Sequence, residues 1–290
     1  MIKKIKESEL ILNSDGSVYH LKLKPENIAR DIIVVGDQGR VPNISKYFDK
    51  IEFTVQNREF LTHTGTIGKK RITALSTGIG TDNIDIVMNE LDALVNIDLT
   101  KRTIKDNHTS LNIIRLGTSG ALQRDIPVDR CVVSTHGLGF DGLLNFYDTS
   151  AINMNEKLIK AFIKHTGWNS WLPRPYLIPC SEMLEKRVGE GFMKGITATA
   201  SGFYGPQGRE LRLKPAMPDL NERLGSFEYR GQRITNFEME TSALYGLGTL
   251  LGHQTLTICA IVANRVIMQF SKDYKKTVDG LIQTVLERLV

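Results

Sequence analysis

An α/β fold follows from three features of the sequence. Continuous apolar runs of strand length stand at residues 32–35, 72–77 and 112–116, rich in β-branched side chains. Runs of this kind, without in-out alternation, belong to strands covered on both faces. Each run empties into glycine or hydroxyl chemistry: Gly36-Asp37, Gly78-Ile79-Gly80 and Gly117-Thr118-Ser119-Gly120. Helical periodicity completes the pattern, with Ile84, Val87, Met88, Leu91, Leu94 and Val95 on one face and Val278, Leu281, Ile282, Val285, Leu286 and Leu289 on another.

Residues 1–19 form a polar N-terminal extension with a turn at Asp15-Gly16. The strand at 32–35 runs through Gly36-Asp37-Gln38-Gly39-Arg40 into a helix over 41–48, giving an anion-ready helix start to which Gly36 brings an amide and Arg40 a guanidinium fork. Its spacing is neither GxGxxG nor GxxxxGK[ST], which argues against a dinucleotide fold and an NTPase. Residues 55–66 alternate loosely and read as edge strands around Arg58-Glu59-Phe60. Asp82 is the expected N-cap of the helix after Gly80, and the charged stretch 97–110 an excursion.

Residues 112–121 are the centre of the pattern. A buried strand is expected to end at Leu116 and release an anion cradle, with Gly117 and Gly120 turning the backbone and Thr118 and Ser119 pointing hydroxyls inward. Arg115 lies in the apolar run; its charge cannot be neutralised, so it requires either a bound oxyanion such as phosphate or a structural carboxylate. Beyond it come a strand at 129–135, a glycine loop at 137–142, helices at 155–165 and 181–188, and an irregular stretch at 168–175. A strand at 197–200 releases a second loop, 201–209. Its Phe203 and Tyr204 offer flat apolar surface, and Gln207 with Arg209 offers hydrogen bonds to a planar heterocycle bearing carbonyl oxygens; the alternative is a polar surface loop. Glu238 and Glu240 flank Met239 at the start of a small-residue helix. They suit either vicinal hydroxyls, as on a ribose, or the positive end of the helix, with Glu240 the better candidate for ligand contact. The last core strand, 256–263, ends in Asn264-Arg265.

Composition bounds the function. With 290 residues and no linker or repeat, a single domain over 1–290 is expected. A net charge of +5 spread along the chain, without an aromatic-interleaved basic block, favours small anionic ligands over nucleic acid. Cys131, Cys180 and Cys259 lie far apart without CxxC spacing, which fits core packing in a reducing compartment and no zinc site. The N-terminus lacks the apolar core of a signal peptide and no stretch can span a bilayer, so a cytoplasmic protein is expected.

The ordered set Val35-Gly36-Asp37 with Arg40, Arg58-Glu59-Phe60, Ser76-Thr77-Gly78-Ile79-Gly80, Arg115 to Gly120, Phe203-Tyr204 with Gln207 and Arg209, Asn236 to Glu240, and Asn264-Arg265 resembles the nucleoside phosphorylase-I family, most of all its uridine-cleaving members. The resemblance implies one α/β domain around a mixed, barrel-like sheet flanked by helices, and phosphorolysis of uridine to uracil and ribose 1-phosphate. Phosphate is a co-substrate, and no other cofactor or metal is required. It further implies phosphate contacts from Gly36, Arg40, Arg115 and Thr118, with Arg58 from a neighbouring subunit. Ribose falls to Glu238, Met239 and Glu240, with His20 across the interface. The base falls to Ser119, Gly120, Phe203, Gln207 and Arg209, with Arg265 nearby. A homo-oligomer, dimer or hexamer, would share these sites, and a monovalent cation such as K+ could lie between subunits near Glu59 and Ser76. Gly202 stands where purine-using members carry Asp, which points toward pyrimidines. Alternatives are another nucleoside as substrate, a hydrolase of the same fold, and a non-catalytic nucleoside-binding protein.

Overall fold

The apolar runs become adjacent strands because each needs cover on both faces, and only a shared sheet with helices outside supplies it. A computed structural model describes residues 4–290; residues 1–3, the start of the stretch read for a signal peptide, lie outside it. The first half holds β1 (Asp31–Val35), α1 (Arg40–Ser45), β2 (Lys50–Asn57), β3 (Phe60–Ile67), β4 (Lys70–Ser76), α2 (Thr81–Asn96), the short β5 (Ile97–Asp98) and β6 (Thr103–Ile104), and β7 (Asn112–Ala121). The second half holds β8 (Cys131–Gly139), α3 (Glu156–Thr166), β9 (Tyr176–Pro179), α4 (Glu182–Val188), β10 (Met193–Thr199), α5 (Leu220–Gly225), β11 (Glu228–Tyr229), β12 (Gln232–Glu238), α6 (Thr241–Leu250), β13 (Gln254–Asn264), β14 (Gln269–Phe270) and α7 (Tyr274–Leu289).

The large sheet runs β11-β12-β10-β8-β13-β7-β1-β4-β3-β2, and a further pairing of β12 with β7 closes β12, β10, β8, β13 and β7 into a barrel. Parallel pairs (β1 with β4 and β7, β7 with β13) and antiparallel pairs (β13 with β8, β12 with β7) coexist, so the sheet is mixed. The single-domain α/β barrel expected of the family is therefore the observed fold. The α2 and α6 faces cover one side of the sheet, and α7 with α4 covers another through Val278, Leu281, Ile282, Leu184 and Val188.

Several local expectations are corrected. β7 does not end at Leu116: Gly117 to Ala121 stay extended, paired with Cys259 to Asn264 of β13 and, at Gly120 and Ala121, with Phe237 and Asn236 of β12. The cradle is thus a strand, held straight by two neighbours that local propensity does not reveal. Likewise 137–139 belong to β8, because β9 pairs with them. Asp82 lies in the first turn of α2, whose cap position is Gly80 at φ +97°. Residues 97–110 include the β5–β6 hairpin. The N-terminal extension is part of the body, with Leu10 and Val18 buried beside Leu21 and Leu23 in the core shared by β1, α2 and α6.

Candidate functional site

The second half of β7 is the rail along which the expected site residues assemble. At one end Arg115 is 4% exposed, and its guanidinium meets two carboxylates from the β12–α6 junction. Nη1 lies 3.1 Å from Glu238 and Nη2 donates to Glu240. Burial opposes this charge, but Glu240 and Glu238 outweigh burial and hold the guanidinium above its ordinary value. Its Nε is buried without a hydrogen-bond partner among the described residues. The structural-carboxylate alternative is therefore realised, and one donor is left over. Gly117 makes the arrangement possible, since a Cβ there would stand 2.2 Å from Arg115 Nη1.

The two carboxylates are differently employed. Glu238 caps α6: it accepts from the Glu240 and Thr241 amides at 2.9 Å each and from the Thr199 hydroxyl at 2.6 Å. Burial and the charge of Glu240 push its carboxyl above the usual range, against the pull of Arg115. Glu240 accepts from the Gly80 amide at 2.8 Å, which ties the start of α2 to the site. Met239 lies between them, half-buried.

Around Arg115 the phosphate-type groups converge. Arg40 donates to the Leu116 carbonyl at 3.1 Å, and burial, then the neighbouring Arg115, lowers its affinity for its proton. A Cβ on Gly36 would sit 3.4 Å from Arg40 Nη2 and 3.3 Å from the Gly78 carbonyl, so backbone and guanidinium close on one spot. Arg40 and Thr118 line a cavity of about 780 Å³ with Asp37, Asn43 and the start of α7.

At the other end of the rail, Ser119 accepts from Asn236 at 2.9 Å, and Gly120 packs under the Arg265 stem. Arg265 donates to the Gln207 carbonyl at 2.5 Å. Arg209 donates to Gln207 Oε1 at 2.7 Å and to the Phe203 carbonyl at 2.6 Å, with its guanidinium 3.7 Å from the Phe203 ring centroid. Burial, then Arg265, weakens the hold of Arg209 on its proton. Arg209 covers one face of the Phe203 ring. Arg209 and Tyr204 border a second cavity of about 680 Å³ lined by Phe140, Trp168, Ser201 and Leu220. The oxyanion end and the base end thus open into different cavities. They are joined by β7 itself, which covers roughly 16 Å from Arg115 to Gly120 at strand rise.

His20 and Arg58 lie together, and the Arg58 carbonyl accepts from Gln38 Nε2 at 2.8 Å beside the 36–40 loop. His20 Nδ1 donates to Glu90 at 2.7 Å, the Asn57 amide donates to the His20 carbonyl at 2.7 Å, and exposed Tyr19 lies against both the His20 ring and the Arg58 guanidinium. Ser76 donates to the Glu59 carbonyl and accepts from the Leu61 amide, both at 2.7 Å, so its hydroxyl stitches β3 to β4. Asp92, His108 and His253 also cluster, but the Leu111 amide donates to His253 Nδ1, which keeps the proton on Nε2 and leaves that ring without a lone pair for a metal. The sequence reading missed Thr199, Gly80 and Cys259. Only the motif Ser76 to Gly80 signalled any of them, and Cys259, 3.6 Å from Arg115, has its thiol pushed up to about 12 by burial.

Comparison with known proteins decides the family. A model of the "Phosphorylase superfamily" matches residues 30–287. The chain belongs to that superfamily. A uridine phosphorylase of Thermococcus kodakarensis is 30% identical over 282 residues, covering 95% of this superfamily member and 88% of the relative. A Bacillus cereus purine nucleoside phosphorylase of the DeoD type is 28% identical over 244 residues, covering 83% and 85%. The crystal structure of a Trypanosoma brucei nucleoside phosphorylase, described as showing uridine phosphorylase activity, superposes with a TM-score of 0.87 at 32% identity over 97% of this phosphorylase-superfamily chain and 99% of its own. Among the described residues, no helix is long and apolar enough to cross a membrane.

Proposed function

We propose that the protein cleaves uridine with inorganic phosphate, giving uracil and α-D-ribose 1-phosphate. The observation that carries this reading is the single strand β7, which joins a guanidinium-rich oxyanion end to a Gln/Arg base edge with a buried carboxylate, Glu240, beside it. Gly36, Arg40, Arg115 and Thr118 hold phosphate, aided by Arg58 of a second copy. Glu240 and Met239 grip the ribose hydroxyls, with His20 of the second copy at the far hydroxyl. Glu238, whose oxygens are committed to Thr199, Thr241, Glu240 and Arg115, sets the position of that grip. Phe203, Ser119 and Gly120 frame the base, and Gln207, Arg209 and Arg265 stabilise the negative charge that grows on it as the glycosidic bond breaks. Phosphate, aimed at the anomeric carbon, meets an oxocarbenium-like sugar. Phosphate is the co-substrate, a monovalent cation near Glu59 and Ser76 is a subunit-interface feature, and a cytoplasmic homo-oligomer is the working form.

The test is a panel of uridine, deoxyuridine, thymidine and inosine, incubated with and without phosphate and read by base release. Phosphate-dependent release of uracil supports the reading. Release that ignores phosphate would make the protein a hydrolase, and preference for inosine would assign it to purines despite Gly202.

A further inference from the structure

Glu90, on α2, is spent on one neighbour. Its side chain is 15% exposed, and its one ion-pair partner among the described residues is the His20 ring. The backbone beside that ring fills the carboxylate: Oε1 accepts from the His20 amide at 2.9 Å, and Oε2 accepts from the Leu21 amide at 2.8 Å. Backbone amides can only donate, so both oxygens are held as acceptors and the ionised carboxylate is favoured. An acceptor-only group 2.7 Å from His20 Nδ1 places the proton on that nitrogen. In the neutral ring Nε2 is then a bare acceptor. The His20 side chain is 26% exposed, and its Nε2 has no hydrogen-bond partner among the described residues.

We propose that Glu90 is a positioning residue that fixes the Nδ1–H tautomer of His20. It thereby makes Nε2 an acceptor for the 5′-hydroxyl, the far hydroxyl of the ribose bound by the neighbouring copy. The site so built selects nucleosides that carry a hydrogen-bond donor at that carbon. This rests on the placement of His20 in the proposed function and adds the polarity of its contact. The opposite tautomer would require a carboxylic acid at Glu90, donating to Nδ1 from the oxygen that also takes the His20 amide. Substitution by Gln separates the tautomer from the support. In Glu90→Gln the amide oxygen keeps the His20 and Leu21 amides, because an NH2 group there would face two N–H donors. The amide nitrogen is left opposite Nδ1 and donates to it. The ring proton then moves to Nε2, and an acceptor becomes a donor with no change of shape.

Nitrogen NMR of histidine-labelled protein reads the tautomer directly, with His20→Gln identifying its signal among the six histidines. The measurement is made at about pH 8.5, well above the ordinary imidazole value of about 6.5, where a neutral ring is expected. The unaltered protein should show Nδ1–H at His20, and Glu90→Gln should show Nε2–H. Phosphate-dependent cleavage then compares 5′-deoxyuridine with 5′-deoxy-5′-fluorouridine, whose fluorine can accept but not donate. Fluorine pulls on the sugar equally in both proteins, so the ratio of kcat/KM for the fluoro over the deoxy substrate isolates the contact. That ratio should rise by about threefold or more in Glu90→Gln, the worth of one modest hydrogen bond. An Nε2–H ring or an imidazolium in the unaltered protein overturns the proposal. So does Nδ1–H together with a ratio unmoved in Glu90→Gln, and either result leaves the phosphorylase reading standing. Absence of phosphate-dependent base release from uridine itself would reject that reading, and this proposal with it.

Discussion

At the scale of single residues, two positions separate binding from chemistry. Arg209 touches Gln207 and Phe203 but not the Arg115 cluster, so its loss should leave phosphate affinity nearly intact. Removing one preorganised donor to a developing anion costs about 2.7–4 kcal/mol of barrier. Arg209→Ala should therefore lower kcat by roughly 10²–10³-fold, as steady-state kinetics and phosphate titration together would register; weakened phosphate binding with normal turnover would reject the base-edge role. Gly117→Ala attacks the other end. The new methyl would stand 2.2 Å from Arg115 Nη1 and 2.8 Å from Cys259 Sγ. The guanidinium is the far end of a flexible side chain and can yield while the strand stays in place, so the expected outcome is a raised KM for phosphate with a small change in Tm. A collapse of Tm with unchanged phosphate KM would show that Gly117 serves packing alone.

At the scale of elements, what could be read from the sequence divides by how local the stabilising contacts are. Strands 32–35 and 72–77 and the faces of α2 and α7 were legible because their apolar periodicity is carried by their own residues. The Gly-Thr-Ser-Gly end of β7 was not, since its extended form depends on β13 and β12, distant in sequence. The same holds for the glycines of β8, extended only because Tyr176 to Pro179 line up against them. The residues expected at the oxyanion and base ends could be picked out by their chemistry, and so could one of the two readings of Glu238, an acid at the positive end of α6; its tie to the Thr199 hydroxyl on β10, distant in sequence, could not. Helix α3, by contrast, is ended by local chemistry. Asn155 accepts from the Leu158 amide at the N-terminus, and Gly167 closes the C-terminus at φ +55°. Asn155→Ala should cost about 1 kcal/mol of stability and leave turnover unchanged, as denaturant unfolding and an activity assay would report. A loss of activity there would mean that α3 is coupled to the base loop.

At the scale of the whole molecule, pH and assembly act together. His63 and His136 are held below their ordinary 6.5 by burial, His63 against Ser45 and His136 within β8. The unfolded chain takes up these protons first, so stability present above about 6.5 is lost as pH falls below it, down to the lower folded values. Tm should decline between about pH 7 and pH 5.5, and less so in a His63→Gln/His136→Gln variant; an unchanged decline would assign it to other groups. Tyr19, His20 and Arg58 form one patch, fixed by Glu90 and Asn57, on which the proposed sharing of sites between copies can be tested. If that patch completes a neighbour's site, Arg58→Ala and Arg209→Ala disable every site when each variant stands alone. In a mixed dimer, however, one site receives an intact Arg209 from its own chain and an intact Arg58 from the other, while the second site lacks both. Random pairing of equal amounts makes half the dimers mixed, so activity should recover to about a quarter of the unaltered level. Recovery tracked against subunit exchange is the measurement, and a mixture no more active than its components would show that Arg58 does not complete a neighbour's site.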